Sequence, residues 1–258
     1  GFHVMQNLPS ATMEDDRWMF EELYRNPSYR PDFLKIYPTL VTPGSEIEAL
    51  WEAGGYATYP EDELIDLIAY GKSCIPKYTR LQRVQRDIPA KLIVSGSHHS
   101  NFRQLALKRL QENGGNCRCI RCREAGRVPA NGEASIETIT YECCGGTEHF
   151  ISAEASDSLI GFVRLRYPGN SWRPEISGSA LIRELHVYGS LVPLKKSGTK
   201  TREWQHRQYG TCLLQEAEEM AASAGYRSVA VMSGIGVRPY YARQGYDRCG
   251  PYMVKRVE

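Results

Sequence analysis

The chain has 258 residues, 41% of them hydrophobic and 24% charged, with a formal net charge of +2. That balance excludes an intrinsically disordered chain, and the length excludes a miniprotein that needs disulfides to fold. No apolar run approaches the length of a membrane span, and the start, Gly1-Phe2-His3-Val4-Met5, lacks the basic and apolar parts of a signal peptide, so a cytoplasmic protein without membrane contact is expected.

Three regions follow one another. In the first, residues 1–92, residues 15–24 read as a helix and residues 34–41 as a strand broken by Pro38. A short helix over 46–53 stops at Gly54-Gly55, and another over 60–71 starts on Pro60 and sets Leu64, Leu67 and Ile68 on one face. This region offers few strands and no obvious partner for them. The second region, 93–150, reads as a linker. It holds a helix over 101–112 that ends at Asn113-Gly114-Gly115, and a strand over 137–141. The third, 151–258, follows strand–helix–strand logic. Strands over 159–166 and 180–192 lead to a basic loop, 195–202. Tyr209-Gly210-Thr211 opens a helix with Leu213, Ala217, Met220 and Ala224 on one face, ended by Gly225. A buried strand over 228–232, a short helix over 239–244 and a strand over 252–255 complete it. There is no internal repeat and no low-complexity tract.

Charge is distributed unevenly. The stretch from Lys72 to Arg127 is rich in Lys and Arg, among them Lys77, Arg80, Arg83, Arg86, Arg118, Arg121 and Arg123, and its acids are Asp87, Glu112 and Glu124. A basic region on a near-neutral chain is either a polyanion site or a solvated face with partners elsewhere in the fold. Lys77, Arg80, Arg83 and Arg86 recur every three residues, and Arg86-Asp87 can alternatively form a structural ion pair. Of the eight cysteines, Cys117, Cys119 and Cys122 fall within six residues and Cys143-Cys144 are adjacent. Such pairs make poor disulfide frameworks, whereas thiolates at CxC and CxxC spacing suit one tetrahedral structural zinc. The fourth ligand is left open among His98, His99, Cys143 and Cys144.

The segment Gln205-His206-Arg207-Gln208-Tyr209-Gly210-Thr211 lies between a long strand and a helix. A turn feeding a helix N-terminus aims free N–H groups and the positive end of the dipole at one spot, which suits a pyrophosphate. Here the chain resembles the GNAT acetyltransferase superfamily, whose loop runs Gln/Arg-x-x-Gly-x-Gly/Ala. Gln205 and Gly210 match, while Gln208 replaces the first Gly, so binding weaker than the family norm or a changed loop path is implied. The resemblance implies acetyl-coenzyme A, with its pantetheine arm along Glu184-Leu185-His186-Val187 and its phosphates at Gln205, Gln208, Tyr209, Gly210 and Thr211. Val237-Arg238-Pro239-Tyr240-Tyr241-Ala242-Arg243-Gln244-Gly245-Tyr246 resembles the YxxxGY ending of that superfamily. It implies a tyrosine that protonates the leaving thiolate, Tyr241 first and Tyr240 second; aromatic packing is the bland alternative.

A narrower resemblance rests on longer strings. Arg183-Glu184-Leu185-His186-Val187-Tyr188-Gly189-Ser190, Ser233-Gly234-Ile235-Gly236-Val237-Arg238, Lys35-Ile36-Tyr37-Pro38-Thr39-Leu40-Val41 and Arg83-Val84-Gln85-Arg86-Asp87-Ile88-Pro89 are similar to the catalytic subunit of Elongator, in a single-subunit archaeal or bacterial type. The resemblance implies an α/β chain in which 1–92 are the remnant of a radical S-adenosylmethionine (β/α) barrel, 93–150 a zinc-binding linker and 151–258 the GNAT domain. It implies acetyl-coenzyme A-dependent carboxymethylation at carbon 5 of the wobble uridine of tRNA, with the basic residues on the tRNA backbone. S-adenosylmethionine and a 4Fe-4S cluster belong to the full-length family. The Cys-x-x-x-Cys-x-x-Cys loop that holds the cluster is absent here, so a fragment or reduced homologue, unable to carry out the radical step alone, is expected. A homodimer is left open, and other Elongator subunits are expected only in a eukaryotic-like setting. The rival readings are an N-acetyltransferase for protein lysine or a small amine, and a non-catalytic tRNA-binding module.

Overall fold

The structure is a computed structural model and describes residues 1–130, 132–171, 173–188 and 209–257. It divides into two compact units, Gly1–Cys122 and Arg123–Glu258. The residues expected to form a linker therefore separate, 93–122 with the first unit and 123–150 with the second.

The first unit begins with β1 (Phe2–Val4), α1 (Met13–Arg25) and β2 (Phe33–Ile36), followed by α2 (Glu46–Glu52), α3 (Glu61–Cys74) and β3 (Arg80–Val84). It ends with α4 (Phe102–Glu112) and α5 (Ile120–Arg123). Its sheet is parallel, in the order β1-β2-β3, so the strands do find partners within the region. The expected strand over 34–41 is regular only to Ile36. Beyond it the Tyr37 and Thr39 N–H groups donate to Val4 and Gln6 carbonyls, with Pro38, which has no N–H, between them. Helix α1 starts on a capping box: the Asp15 N–H donates to Thr12 Oγ1 at 3.2 Å and the Thr12 N–H to Asp15 Oδ2 at 2.9 Å. Phe20 of α1, Leu67 and Ile68 of α3, Leu34 and Ile36 of β2, Leu81 of β3 and Phe102 and Ala106 of α4 share one core. Helices α1 and α3 approach closely at Gly71, where a Cβ would lie 2.7 Å from the Phe20 ring.

The second unit is a seven-stranded sheet in the order β4-β5-β6-β7-β8-β10-β9. Its elements are β4 (Ser135–Cys143), β5 (Gly146–Ala155), β6 (Ser158–Tyr167), β7 (Ser179–Val187), α6 (Tyr209–Ser223), β8 (Ser228–Val231), α7 (Arg238–Arg243), β9 (Asp247–Cys249) and β10 (Tyr252–Arg256). The long strand expected over 180–192 is described to Val187, and its last residues and the basic loop over 195–202 lie outside the described residues. The apolar face of α6 (Leu213, Leu214, Ala217, Ala221) packs on Ile151, Val163, Ile182 and Val229 of the sheet. Among the described residues no helix is long and apolar enough to cross a membrane.

Candidate functional site

The sheet of the second unit is split at its middle. Strands β7 and β8 pair in parallel from Ser179↔Ser228 to Ile182↔Val231, and their described pairing stops there, whereas β6 and β7 stay paired as far as Gly161↔Val187. Among the described residues, no strand lies beside that edge of β7 on the β8 side from Arg183 onward. A cleft of about 600 Å³ opens along that edge, lined by Leu185, Val187, Gly210, Thr211, Val237, Tyr240 and Tyr241. Of the four β7 residues expected to run along a ligand, Leu185 and Val187 turn their side chains into the cleft. The strand period sends Glu184 and His186 to the other face. There Glu184 accepts a hydrogen bond from Arg164 Nε at 2.9 Å and His186 stacks on Phe162, ring centroids 6.1 Å apart.

At one end of the cleft lies the N-terminus of α6, whose first N–H groups have no partner inside the helix. Gly210 matters here sterically: a Cβ on it would lie 3.1 Å from the Tyr240 hydroxyl and 3.7 Å from Val187 Cγ2. Gln205 and Gln208, expected to contact phosphates, lie outside the described residues. The Tyr240 hydroxyl is buried without a hydrogen-bond partner, and burial raises its pKa. Burial pushes the Tyr241 phenol up to about 12. Both phenols therefore keep their protons at neutral pH and can donate them. Tyr241 is 7% exposed, against the core, and meets Tyr240 and Tyr246 edge-on at 5.2 and 5.7 Å. Tyr246 is anchored in turn: its hydroxyl donates to Glu218 Oε1 at 2.7 Å, and Lys255 donates to Glu218 Oε2 at 2.6 Å. Neither Val237 as a cleft wall nor the Glu218 anchor was expected from sequence; a glutamate on the apolar face of a helix, eight residues after Gly210, was the available signal.

The first unit carries the thiol cluster. The sulfurs of Cys117, Cys119 and Cys122 lie within 4.8 Å of one another, with Cys119 fully buried and Cys117 7% exposed. Hydrogen bonds from Cys117 and Cys122 hold Cys119 well below the ordinary thiol range, and the Lys72 charge acts in the same direction. A tetrahedral zinc site has Zn–S distances of about 2.3 Å, so a small closure of this triad would accommodate the ion. Among the described residues no fourth His, Cys, Asp or Glu joins the group. The candidates for that place are engaged elsewhere. His99 Nε2 lies 3.2 Å from Glu61 Oε1, and His98 borders a cavity of about 390 Å³ together with Arg86 and Asp87. Cys143 and Cys144 sit at the β4–β5 turn, where Arg166 donates to both their carbonyls.

The basic residues divide by exposure. Arg83, Arg86 and Arg118 are exposed and Lys77, Arg80 and Arg121 half-buried. Arg83 pairs with Asp87 at 3.0 Å rather than Arg86 doing so, and Arg86 lies over the Tyr37 ring. Arg123 is corrected: it is 1% exposed and donates to Glu154 Oε2 at 2.8 Å inside the second unit, so it cannot reach a phosphate.

Comparison with known proteins agrees with the two units. The Radical_SAM C-terminal domain family model matches residues 31–112, and the Acetyltransferase (GNAT) family model matches residues 123–246. The chain is 44% identical over 268 residues to the tRNA uridine(34) acetyltransferase of Methanocaldococcus jannaschii, covering 100% of this chain and 49% of that protein. It is 42% identical over 267 residues to Elongator complex protein 3 of Saccharomyces cerevisiae, covering 99% and 48%. The solved structure of the archaeal Methanocaldococcus infernus Elp3 with an N-terminal deletion (1–46) superposes with a TM-score of 0.90 at 42% identity, covering 98% of this chain and 62% of that one. The chain spans about half the length of the curated relatives it matches. With a radical-SAM C-terminal domain followed by a GNAT acetyltransferase domain in the same order as these proteins, it belongs to the family of the tRNA uridine(34) acetyltransferases and Elongator complex protein 3.

Proposed function

We propose that the second unit binds acetyl-coenzyme A in the split of its sheet, and that the chain serves a tRNA-modifying acetyltransferase acting at the wobble uridine. The observation that carries this reading is the end of β7–β8 pairing at Ile182↔Val231, beside a cleft that runs to the N-terminus of α6. An extended ligand with amide groups is proposed to run along Glu184, Leu185, His186 and Val187, on the β8 side of β7. A pyrophosphate fits the helix N-terminus at Tyr209, Gly210 and Thr211, with Gln205 and Gln208 as further contacts. Thioester cleavage needs a proton for the departing sulfur. When water attacks the acetyl carbonyl carbon and the C–S bond breaks, the phenol of Tyr240 or Tyr241 delivers a proton to the departing thiolate, and the proton lost by the attacking water restores the phenol.

The names of the relatives support tRNA as the acceptor, and carboxymethylation at carbon 5 of the uridine is the reaction proposed. Lys77, Arg80, Arg83, Arg86, Arg118 and Arg121 are proposed to meet the tRNA backbone, a sequence-independent source of affinity. A structural zinc is proposed at Cys117, Cys119 and Cys122, where it would brace the first unit. The radical step of the full-length family needs a cluster-binding loop of a spacing this sequence does not contain.

Calorimetric titration with acetyl-coenzyme A tests the reading. Micromolar binding by the chain, lost in Gly210→Glu, is the expected result, because a side chain at position 210 meets the Tyr240 hydroxyl and the phosphates together. Absence of binding by the unaltered chain, with tRNA affinity retained, would leave a tRNA-binding module in its place.

A further inference from the structure

The turn between β4 and β5 carries an unexpected residue for its shape. Cys143 pairs with Gly146, which leaves Cys144 and Gly145 as a two-residue hairpin loop, and both have positive φ, 49° and 72°. Such a loop is a type I′ turn, in which Asn-Gly and Asp-Gly are the favoured pairs, because glycine and short polar residues enter the left-handed region at low cost. A cysteine at the first of these places strains the backbone. The conformation sets its sulfur 3.6 Å from that of Cys143.

That separation suits a chelate. Two thiolates on one tetrahedral ion, with metal–sulfur bonds of about 2.3 Å, lie about 3.8 Å apart. It does not suit a disulfide: consecutive Cα atoms are about 3.8 Å apart, short of the roughly 4.4–6.8 Å that a relaxed disulfide spans, so the pair keeps both thiols. The turn is also held in place. Arg166 Nη1 donates to the Cys143 carbonyl and Nη2 to the Cys144 carbonyl, each at 3.0 Å, and Glu148 Oε1 accepts from the same guanidinium at 2.7 Å. Cys144 is exposed and Cys143 is 9% exposed, so the pair is approached from solvent on the Cys144 side.

We propose that Cys143 and Cys144 form a bidentate site for a single soft, thiophilic ion of low coordination number. The site belongs to the second unit, and the Cys117, Cys119 and Cys122 triad to the first. Sulfur ligands select soft centres, and two thiols already side by side on a fixed turn bind one without the ordering cost that separate surface cysteines incur. The proposal is independent of the acetyl-coenzyme A and zinc readings.

Phenylarsine oxide is the probe. Its arsenic(III) forms two As–S bonds, the oxide oxygen leaves as water with the two thiol protons, and no oxidation state changes. The reduced chain, Cys144→Asn and Cys143→Ser are each treated with the probe and then with excess 2-mercaptoethanol, which displaces arsenic held by one sulfur and leaves arsenic held by two; the retained arsenicals are counted by mass. Any taken up by the triad are common to all three samples and cancel. The unaltered chain should retain one more arsenical than either variant, and 2,3-dimercaptopropanol should remove it. Equal counts in the unaltered chain and the variants overturn the proposal. Thermal unfolding gives a second readout. Cys144→Asn places the favoured residue in the turn and should raise the melting temperature of the unliganded chain, whereas a lowered value would show that the cysteine serves the turn itself and would overturn its assignment as a residue held there for its sulfur.

Discussion

Arg83 and Arg123 come from the same basic stretch and do opposite things. Arg123 is sealed against Glu154, with the two side chains 1% and 4% exposed. Arg123→Ala leaves a buried carboxylate without its cation and should cost about 3–5 kcal/mol of stability, read by urea denaturation. Arg83 is exposed and only loosely held by Asp87. Arg83→Glu should change stability by less than about 0.5 kcal/mol, while weakening tRNA binding and flattening its dependence on salt. His149 gives the residue scale its pH dependence. Burial holds it below its ordinary value of 6.5, so it stays neutral in the fold, with Thr140 Oγ1 2.9 Å from its Nδ1 and no partner at Nε2. As pH falls below about 6.5 the unfolded chain takes up that proton before the folded one. His149 therefore adds no instability at pH 7.5 and makes the fold weaker as the solution is acidified. The urea midpoint should drop between pH 7.5 and 5.5 by more than in His149→Leu; an equal drop would assign the acid sensitivity to other groups.

The elements that sequence made legible are those with one apolar face. Leu64, Leu67 and Ile68 announce α3, and Leu213 and Ala217 announce α6, because a helix with a single buried stripe repeats it every three to four residues. Strand β5 was not read, although it is the best-buried strand of the second unit. Its sequence, Gly-Thr-Glu-His-Phe-Ile-Ser-Ala-Glu-Ala, carries charge on a face that looks made for water. The structure buries that face and satisfies it with ions from neighbouring strands: Glu148 with Arg166 and Arg183, Glu154 with Arg123. Those partners lie up to 35 residues away in sequence, beyond the reach of any local pattern. Strand β3 misleads differently. Its pairing register slips between Leu34 and Lys35, so that Leu81 and Val84, three residues apart, both face the core. The three-residue recurrence of Arg80 and Arg83 follows that irregularity and does not mark a helix. Helix packing yields its own prediction at Gly71. Alanine is the better helix former, yet its Cβ would meet the Phe20 ring at 2.7 Å, and an aromatic ring wedged in a core cannot swing away. Gly71→Ala should destabilise the first unit by about 1 kcal/mol or more; a raised melting temperature would show that α1 can shift.

At the scale of the whole molecule, the cysteine spacing, the tyrosine string and the Gly in the first turn of α6 each led to a place where the structure gathers them. The fourth ligand did not follow, because nothing in a sequence reports which distant side chain a cluster will meet. The division of the chain was also hidden: a break at Cys122–Arg123 falls inside a short helix and within the basic, cysteine-rich stretch. Chelation of the proposed zinc should speed amide hydrogen exchange in α3, α4 and β3 and leave β5 and β6 unchanged, since the thiols share their core with the first unit alone. The open edge of β7 has a thermodynamic consequence as well. Among the described residues the β7–β8 pairing ends at Ile182↔Val231, although β7 runs on to Val187. A ligand that lies in the gap is then a structural member of the sheet, and the stability of the second unit becomes a function of ligand concentration. At a hundred times its dissociation constant such a ligand adds about 2.7 kcal/mol. With the proposed ligand, the resting fold of this unit would be set by its chemical surroundings as well as by its sequence, and starving it of ligand should loosen β7 and β8 first.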